Sequence, residues 1–137
     1  MREIIFRGKL SHNNEWVVGN LVFSQEGYPY IIPSDIIEQD GHHLRIFDDN
    51  AYWVNENTIG QYVGMRDKNG TMIFEGDIIK HHQYYGATSM SYTIGFIDYN
   101  NYKFFLKGVG GDKSWELFNL DGSEEVIGNY YDNKDLL

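Results

Sequence analysis

The chain has 137 residues, room for one domain or two very small ones, and its 42% hydrophobic content, 16% aromatic content and 2 prolines exclude a disordered chain. With 11 basic and 20 acidic residues the formal charge is −9, which opposes ordinary nucleic-acid binding unless a local patch overrides it. Cysteine is absent, so disulfides and thiolate zinc sites are excluded and a reducing compartment is expected.

Met1-Arg2-Glu3-Ile4 mixes charges where a signal peptide would carry an apolar core, and no apolar run approaches the roughly 20 residues that cross a bilayer. A cytoplasmic protein without a membrane partner is the expectation. The acidic excess is also spread: residues 1–60 carry 4 basic and 9 acidic groups, residues 61–137 carry 7 and 11. Neither half is a charged appendage.

In chain order, residues 4–7 and 15–23 are the first strand candidates, rich in residues that fit a pleated, half-buried surface. Residues 34–39 form the best helical candidate, with Ser34 as cap. Asp40-Gly41 marks a tight turn ahead of strands over 44–47 and 51–54. A boundary is expected near 55–59, giving an N-terminal β region over 1–57 and a second region over 58–137, either as two parts or as one continuous domain. Asn69-Gly70 is a second hairpin turn, flanked by apolar segments at 60–66 and 71–74. Glu75-Gly76-Asp77 gives a turn, followed by a strand over 77–81, a polar loop over 84–89 and strands over 90–99 and 103–108. These last two meet at Asn100-Asn101, and Gly95 is expected at a bulge or bend. Asp121-Gly122 supplies a third turn before an apolar segment at 124–127.

Strand, long loop, strand, tight turn, strand is the order of an SH3-like barrel. The fold class is therefore mainly β: antiparallel strands with little helix and a small SH3-like barrel in the second half, completed by a C-terminal strand.

Several fragments together resemble the YopX-like proteins of phages and prophages. They are Met1-Arg-Glu-Ile-Ile-Phe-Arg-Gly8, Glu15-Trp-Val-Val-Gly-Asn20, Thr58-Ile-Gly-Gln-Tyr-Val-Gly64, Asp67-Lys-Asn-Gly70, Ile73-Phe-Glu-Gly-Asp77, Val126-Ile-Gly-Asn-Tyr130 and the final Leu136-Leu137. The resemblance covers nearly the whole chain and is loosest over 25–55. It implies a mostly β fold with SH3-like character and a phage origin, and it supplies no catalytic residues and no established activity.

Candidate chemistry is sparse. His42-His43 and His81-His82 are metal-ligand types, with Asp35, Glu38 and His12 as further donors. On a strand, however, neighbouring side chains face opposite ways, so one member of each pair at most could address a given site. Glu75 and Asp77 stand two apart around a glycine, a spacing that makes Asp77 an acceptor for backbone N–H groups rather than one of two catalytic acids. Neither the glycines of 60–64 nor those of 108–112 fit the pattern of a phosphate loop with its downstream Lys-Ser/Thr. No catalytic, cofactor or metal residue is assigned, and no cofactor is expected.

Aromatic residues carry the stronger signal. Tyrosine buries a large area while keeping a polar tip, which suits protein interfaces. Tyr84, Tyr85, Tyr99 and Tyr102 are the candidate contact residues. The expected function is a non-enzymatic phage accessory protein that acts by protein–protein contact, its partner a host or phage protein or a second copy of itself. The competing reading is a nucleic-acid-associated or DNA-mimicking regulator, which would need Lys103, Lys107 and Lys113 to gather on one face.

Overall fold

The computed structural model describes residues 3–34, 51–85, 89–109, 114–117 and 122–137, with backbone alone for 83–85 and 89–91. The described residues are mainly β, in antiparallel sheets. They divide into two compact units, Met1–Tyr62 and Val63–Leu137, and the chain passes from one to the other within a single strand.

The first unit contains β1 (Phe6–Lys9), β2 (Trp16–Phe23), β3 (Pro29–Pro33), β4 (Tyr52–Trp53) and the start of β5 (Gly60–Arg66), with the order β4-β3-β2-β1-β5. Its core is Leu10, Ile31 and Val54, against which Phe6, Val17, Leu21 and Ile59 pack. β3 is absent from the sequence reading because two prolines bracket its apolar residues and read as breakers. In the sheet they occupy its first and last positions, where a missing N–H costs the ladder least. Between them Ile31 and Ile32 are almost completely buried, and burial of that size, about 2 kcal/mol per side chain, outweighs the lost donors.

The second unit contains the rest of β5, then β6 (Met72–Phe74), β7 (Asp77–Tyr85), β8 (Ser89–Asn100), β9 (Lys103–Gly108), β10 (Ser114–Glu116) and β11 (Glu125–Asn129). β6 lies beside β5, and the other five form a sheet in the order β10-β9-β8-β7-β11. Ile73, Ile79, Ile97 and Leu106 are its buried centre, covered by residues that include Val63, Met65, Trp115 and Val126.

Three expectations change here. The loop expected over 84–89 is strand at both ends: β7 continues to Tyr85, which pairs with Ser89, as tyrosine's preference for strands allows. Gly95 is not at a bulge, since its pairing with Ile79 and with Gly108 runs through an unshifted register. A Cβ there would lie 2.5 Å from the Lys107 carbonyl oxygen, so the glycine serves close approach of β9; the register shift falls instead between Val126 and Gly128. The sheet is also open, with β10 and β11 at its edges and, among the described residues, no pairing that closes a barrel. The helix expected over 34–39 (beyond Ser34 itself), the Asp40-Gly41 turn and the strand over 44–47 lie outside the described residues.

The Asn69-Gly70 turn forms as expected, with Gly70 at φ +82°, and Asp67 organises it. This carboxylate is covered by its own loop and is 7% exposed. Its Oδ1 accepts from the backbone N–H groups of Asn69 at 2.8 Å and Thr71 at 2.9 Å, and its Oδ2 from that of Val126 at 3.0 Å. One side chain thus ties the turn to β11, 59 residues later. Desolvation raises its pKa, but the N–H groups of Val126, Thr71 and Asn69 outweigh that and hold it below the ordinary aspartate value. Replacing it with alanine (Asp67→Ala) is expected to lower the unfolding free energy by about 3 kcal/mol in urea titration, since three donors lose a charged acceptor. Because the folded carboxylate titrates below the unfolded one, this stabilisation is complete above the unfolded pKa and is lost as pH falls through the folded pKa. The stability gap between wild type and Asp67→Asn should therefore shrink on acidification below about pH 4; a gap independent of pH would contradict the assignment.

Candidate functional site

β8 and β9 are joined by Asn101 and Tyr102 alone, the last pair of the ladder being Asn100 and Lys103. A two-residue hairpin that follows the right-handed strand twist requires positive φ at both turn positions, which is why Asn-Gly is the favoured pair. Here the angles are +50° at Asn101 and +65° at Tyr102. Asparagine tolerates this region, whereas a bulky side chain in it costs about 1–2 kcal/mol. Tyr102 recovers nothing by packing, because it is 95% exposed. The neighbouring rung is aromatic too: Tyr99 faces Phe104 with ring centroids 5.0 Å apart, and Tyr99 is itself half exposed. Lys103, at the foot of the turn, is ion-paired with Glu116 of β10. The tip is thus an exposed aromatic pair on a firmly registered hairpin.

The four candidate tyrosines do not form one surface. Tyr84 and Tyr85 lie opposite Met90 and Ser89, at the other end of β8 from Tyr99. At about 3.3 Å per strand residue, some 30 Å of β8 separates the two pairs.

His81 and His82 alternate as strand geometry demands. His82 approaches Tyr92, while His81 is buried with its ring 5.8 Å from that of Trp115. The His81 Nδ1 lies 3.2 Å from Glu124 Oε1, out of line for a hydrogen bond. Glu124 is fully buried and its Oε2 accepts from the Gly122 N–H at 2.9 Å. Nothing local in the sequence marks Glu124, since it follows a turn dipeptide and reads as a solvated acid. His12 is exposed, and His42, His43, Asp35 and Glu38 lie outside the described residues. Among the described residues no three His, Asp or Glu side chains gather as a metal site. Asp77 is buried and its Oδ2 accepts from the Phe74 N–H at 2.8 Å, closing the Glu75-Gly76 turn as its spacing predicts.

The family described as YopX protein matches residues 5–137, and the chain belongs to that family. No protein of curated function matches. Among solved structures, that of protein EF1440 from Enterococcus faecalis is similar, with a TM-score of 0.60 and 21% identity over 100% of this chain and 99% of that one. At that identity the likeness is one of fold.

Two outcomes follow for this region. Tyr102→Gly should raise stability by about 1 kcal/mol, because glycine adopts the turn's positive φ without strain; thermal unfolding would show a higher Tm, and a lower one would remove the strain argument. Glu124→Ala should cost about 3 kcal/mol by emptying a fully buried position and removing the carboxylate from beside His81 and the Gly122 N–H, measured by urea unfolding.

Proposed function

We propose that this chain is a non-enzymatic phage or prophage accessory protein that acts in the bacterial cytoplasm through protein–protein contact. The observation that carries the reading is Tyr102, an exposed tyrosine at a backbone position that glycine would occupy at lower energy. Strain at a fully exposed tip does nothing for the fold, and an aromatic anchor at a rigid turn is what an interface uses. Tyr99 and Phe104, whose rings pack together, form the next rung but one of the same hairpin. The partner is a host or phage protein, or a second copy of the chain.

Residues 58–137 are proposed to be a variant of the SH3-like arrangement. The support for this is the consecutive antiparallel run β7-β8-β9-β10. The nucleic-acid reading has less support: Lys103 is ion-paired with Glu116, Lys107 lies 5.9 Å from the Phe96 ring centroid, and Lys113 is outside the described residues.

The test is crosslinking and co-purification of the tagged chain from its bacterial host during prophage induction. A recurrent partner, or the chain's own dimer, should be recovered with wild type and with Phe23→Ser, an exposed control on β2. Tyr102→Gly should reduce that recovery about tenfold, the loss of one interface hot spot. Since Tyr102→Gly is expected to be the more stable protein, such a loss would not reflect unfolding. Undiminished recovery with both Tyr102→Gly and Tyr99→Ser would overturn the reading.

A further inference from the structure

The first unit holds a cavity of about 440 Å³ whose walls include Tyr28, Trp53, Glu26 and Glu56, with Val54 and Asn55 behind them. Three observations concern what it takes. The rings of Tyr28 and Trp53 meet edge to face with centroids 5.7 Å apart, yet 53% and 50% of these residues remain exposed. Both carboxylates belong to exposed residues, and among the described residues no Lys or Arg lines the cavity. Lastly, the chain's own cations are placed over other rings: Arg7 and Lys9 over Trp16, Lys80 over Tyr92, Lys107 over Phe96 and Lys134 over Tyr130. Among the described residues none is placed over Tyr28 or Trp53. A second cavity, of about 320 Å³ beside Phe96 and Tyr130, differs in this respect because Lys134 already stands 4.8 Å from the Tyr130 ring centroid.

The walls are set before any ligand arrives. The loop between β2 and β3 is closed by the Ser24 N–H donating to the Tyr28 carbonyl at 2.9 Å and by the Tyr28 N–H donating to Ser24 Oγ at 3.0 Å. On the other side the Ser11 N–H donates to the Trp53 carbonyl at 3.1 Å and the Asn55 N–H to that of Lys9 at 2.8 Å. Glu56 opens a 3-10 turn capped by Asn55, whose side chain accepts from the Asn57 N–H. Little ordering is left to oppose binding.

We propose that this cavity receives a cationic side chain, an arginine or lysine presented by a basic segment of a partner protein. The aromatic faces attract a cation through their quadrupoles and the two carboxylates supply the counter-charge. A guanidinium suits both elements, since it stacks on rings and forms forked hydrogen bonds to carboxylates. The site lies in the other unit from the Tyr102 tip and does not depend on the function proposed for it.

The test follows the Trp53 indole N–H by two-dimensional NMR of the intact chain, titrated with a blocked Gly-Arg-Gly-Arg-Gly peptide, its lysine counterpart and its citrulline counterpart. Citrulline keeps the shape of arginine without the charge. The arginine and lysine peptides should shift the Trp53 signal saturably, arginine more tightly, while citrulline should not. Glu26→Gln with Glu56→Gln should weaken binding about fivefold, the order expected of two exposed charge contacts, and 0.5 M salt should do the same. Tyr102→Gly should leave the titration unchanged, which separates a failure here from a failure of the tip. Equal shifts with citrulline would show an uncharged stacking groove, and no shift with any peptide at millimolar concentration would show no cation site; either result overturns the proposal.

Discussion

The second unit depends on how closely two backbones approach at Gly95. β8 is hydrogen-bonded on both sides, and its partner β9 comes so near that any side chain at this position would meet the Lys107 carbonyl. With that approach allowed, β8 and β9 stay in one register from Gly95 opposite Gly108 to Asn100 opposite Lys103. An unbroken register leaves two residues for the turn, and the twist of the strands then sets their φ to positive values. The strain at Tyr102 is therefore a consequence of the central ladder. It was not available to be relieved by a longer loop without shifting Ile97 and Leu106, which this ladder places in the core.

Buried acids do the complementary work at the margins of the same unit. Asp67 gathers three backbone donors, Asp77 closes the turn before β7, and Glu124 sits beside His81 while bonding its own loop. Each takes up backbone N–H groups at a turn or at the edge of the sheet, the Phe74 N–H being the one on a buried residue. Part of the chain's acidic excess is thus structural. Glu26 and Glu56 are of another kind: they are exposed and line the cavity beside the Tyr28 and Trp53 rings.

Much of the strand pattern was legible, because alternation and turn dipeptides act locally. β2, β8 and β9 fall close to the segments read from residue type, and the Asn69-Gly70 turn forms where that dipeptide stands. What escaped was set by distance. β3 escaped because the harmlessness of Pro29 and Pro33 depends on their being its two ends, and Gly95 was expected at a bulge or bend because its close neighbour, Lys107, is a strand away. Glu124 read as a solvated acid because His81 lies far off in sequence. The pairing of Tyr28 with Trp53 was invisible for the same reason: the two residues are 25 positions apart and meet through the β3–β4 register, which sets Tyr30 opposite Trp53. The four tyrosines first singled out divide between the two ends of β8, a separation that only the strand register shows.

Exposed aromatics by themselves are ordinary, since no fold has enough polar surface to cover itself. Tyr102 and the Tyr28–Trp53 pair differ in that each is set against a cheaper arrangement. Glycine would relax the hairpin tip, and a lysine of the chain's own would cover the rings, as lysines do for Tyr92 and Tyr130. A costlier residue kept on a backbone already fixed by its own hydrogen bonds is the common ground of both proposals. At the tip the retained feature is an apolar ring with a polar end, which suits a protein surface of no particular charge. In the first unit it is a pair of rings beside two exposed carboxylates, which suits a cation. The two demands differ chemically, so a single partner would have to present both an apolar recess and a basic side chain, or else the two sites serve different partners.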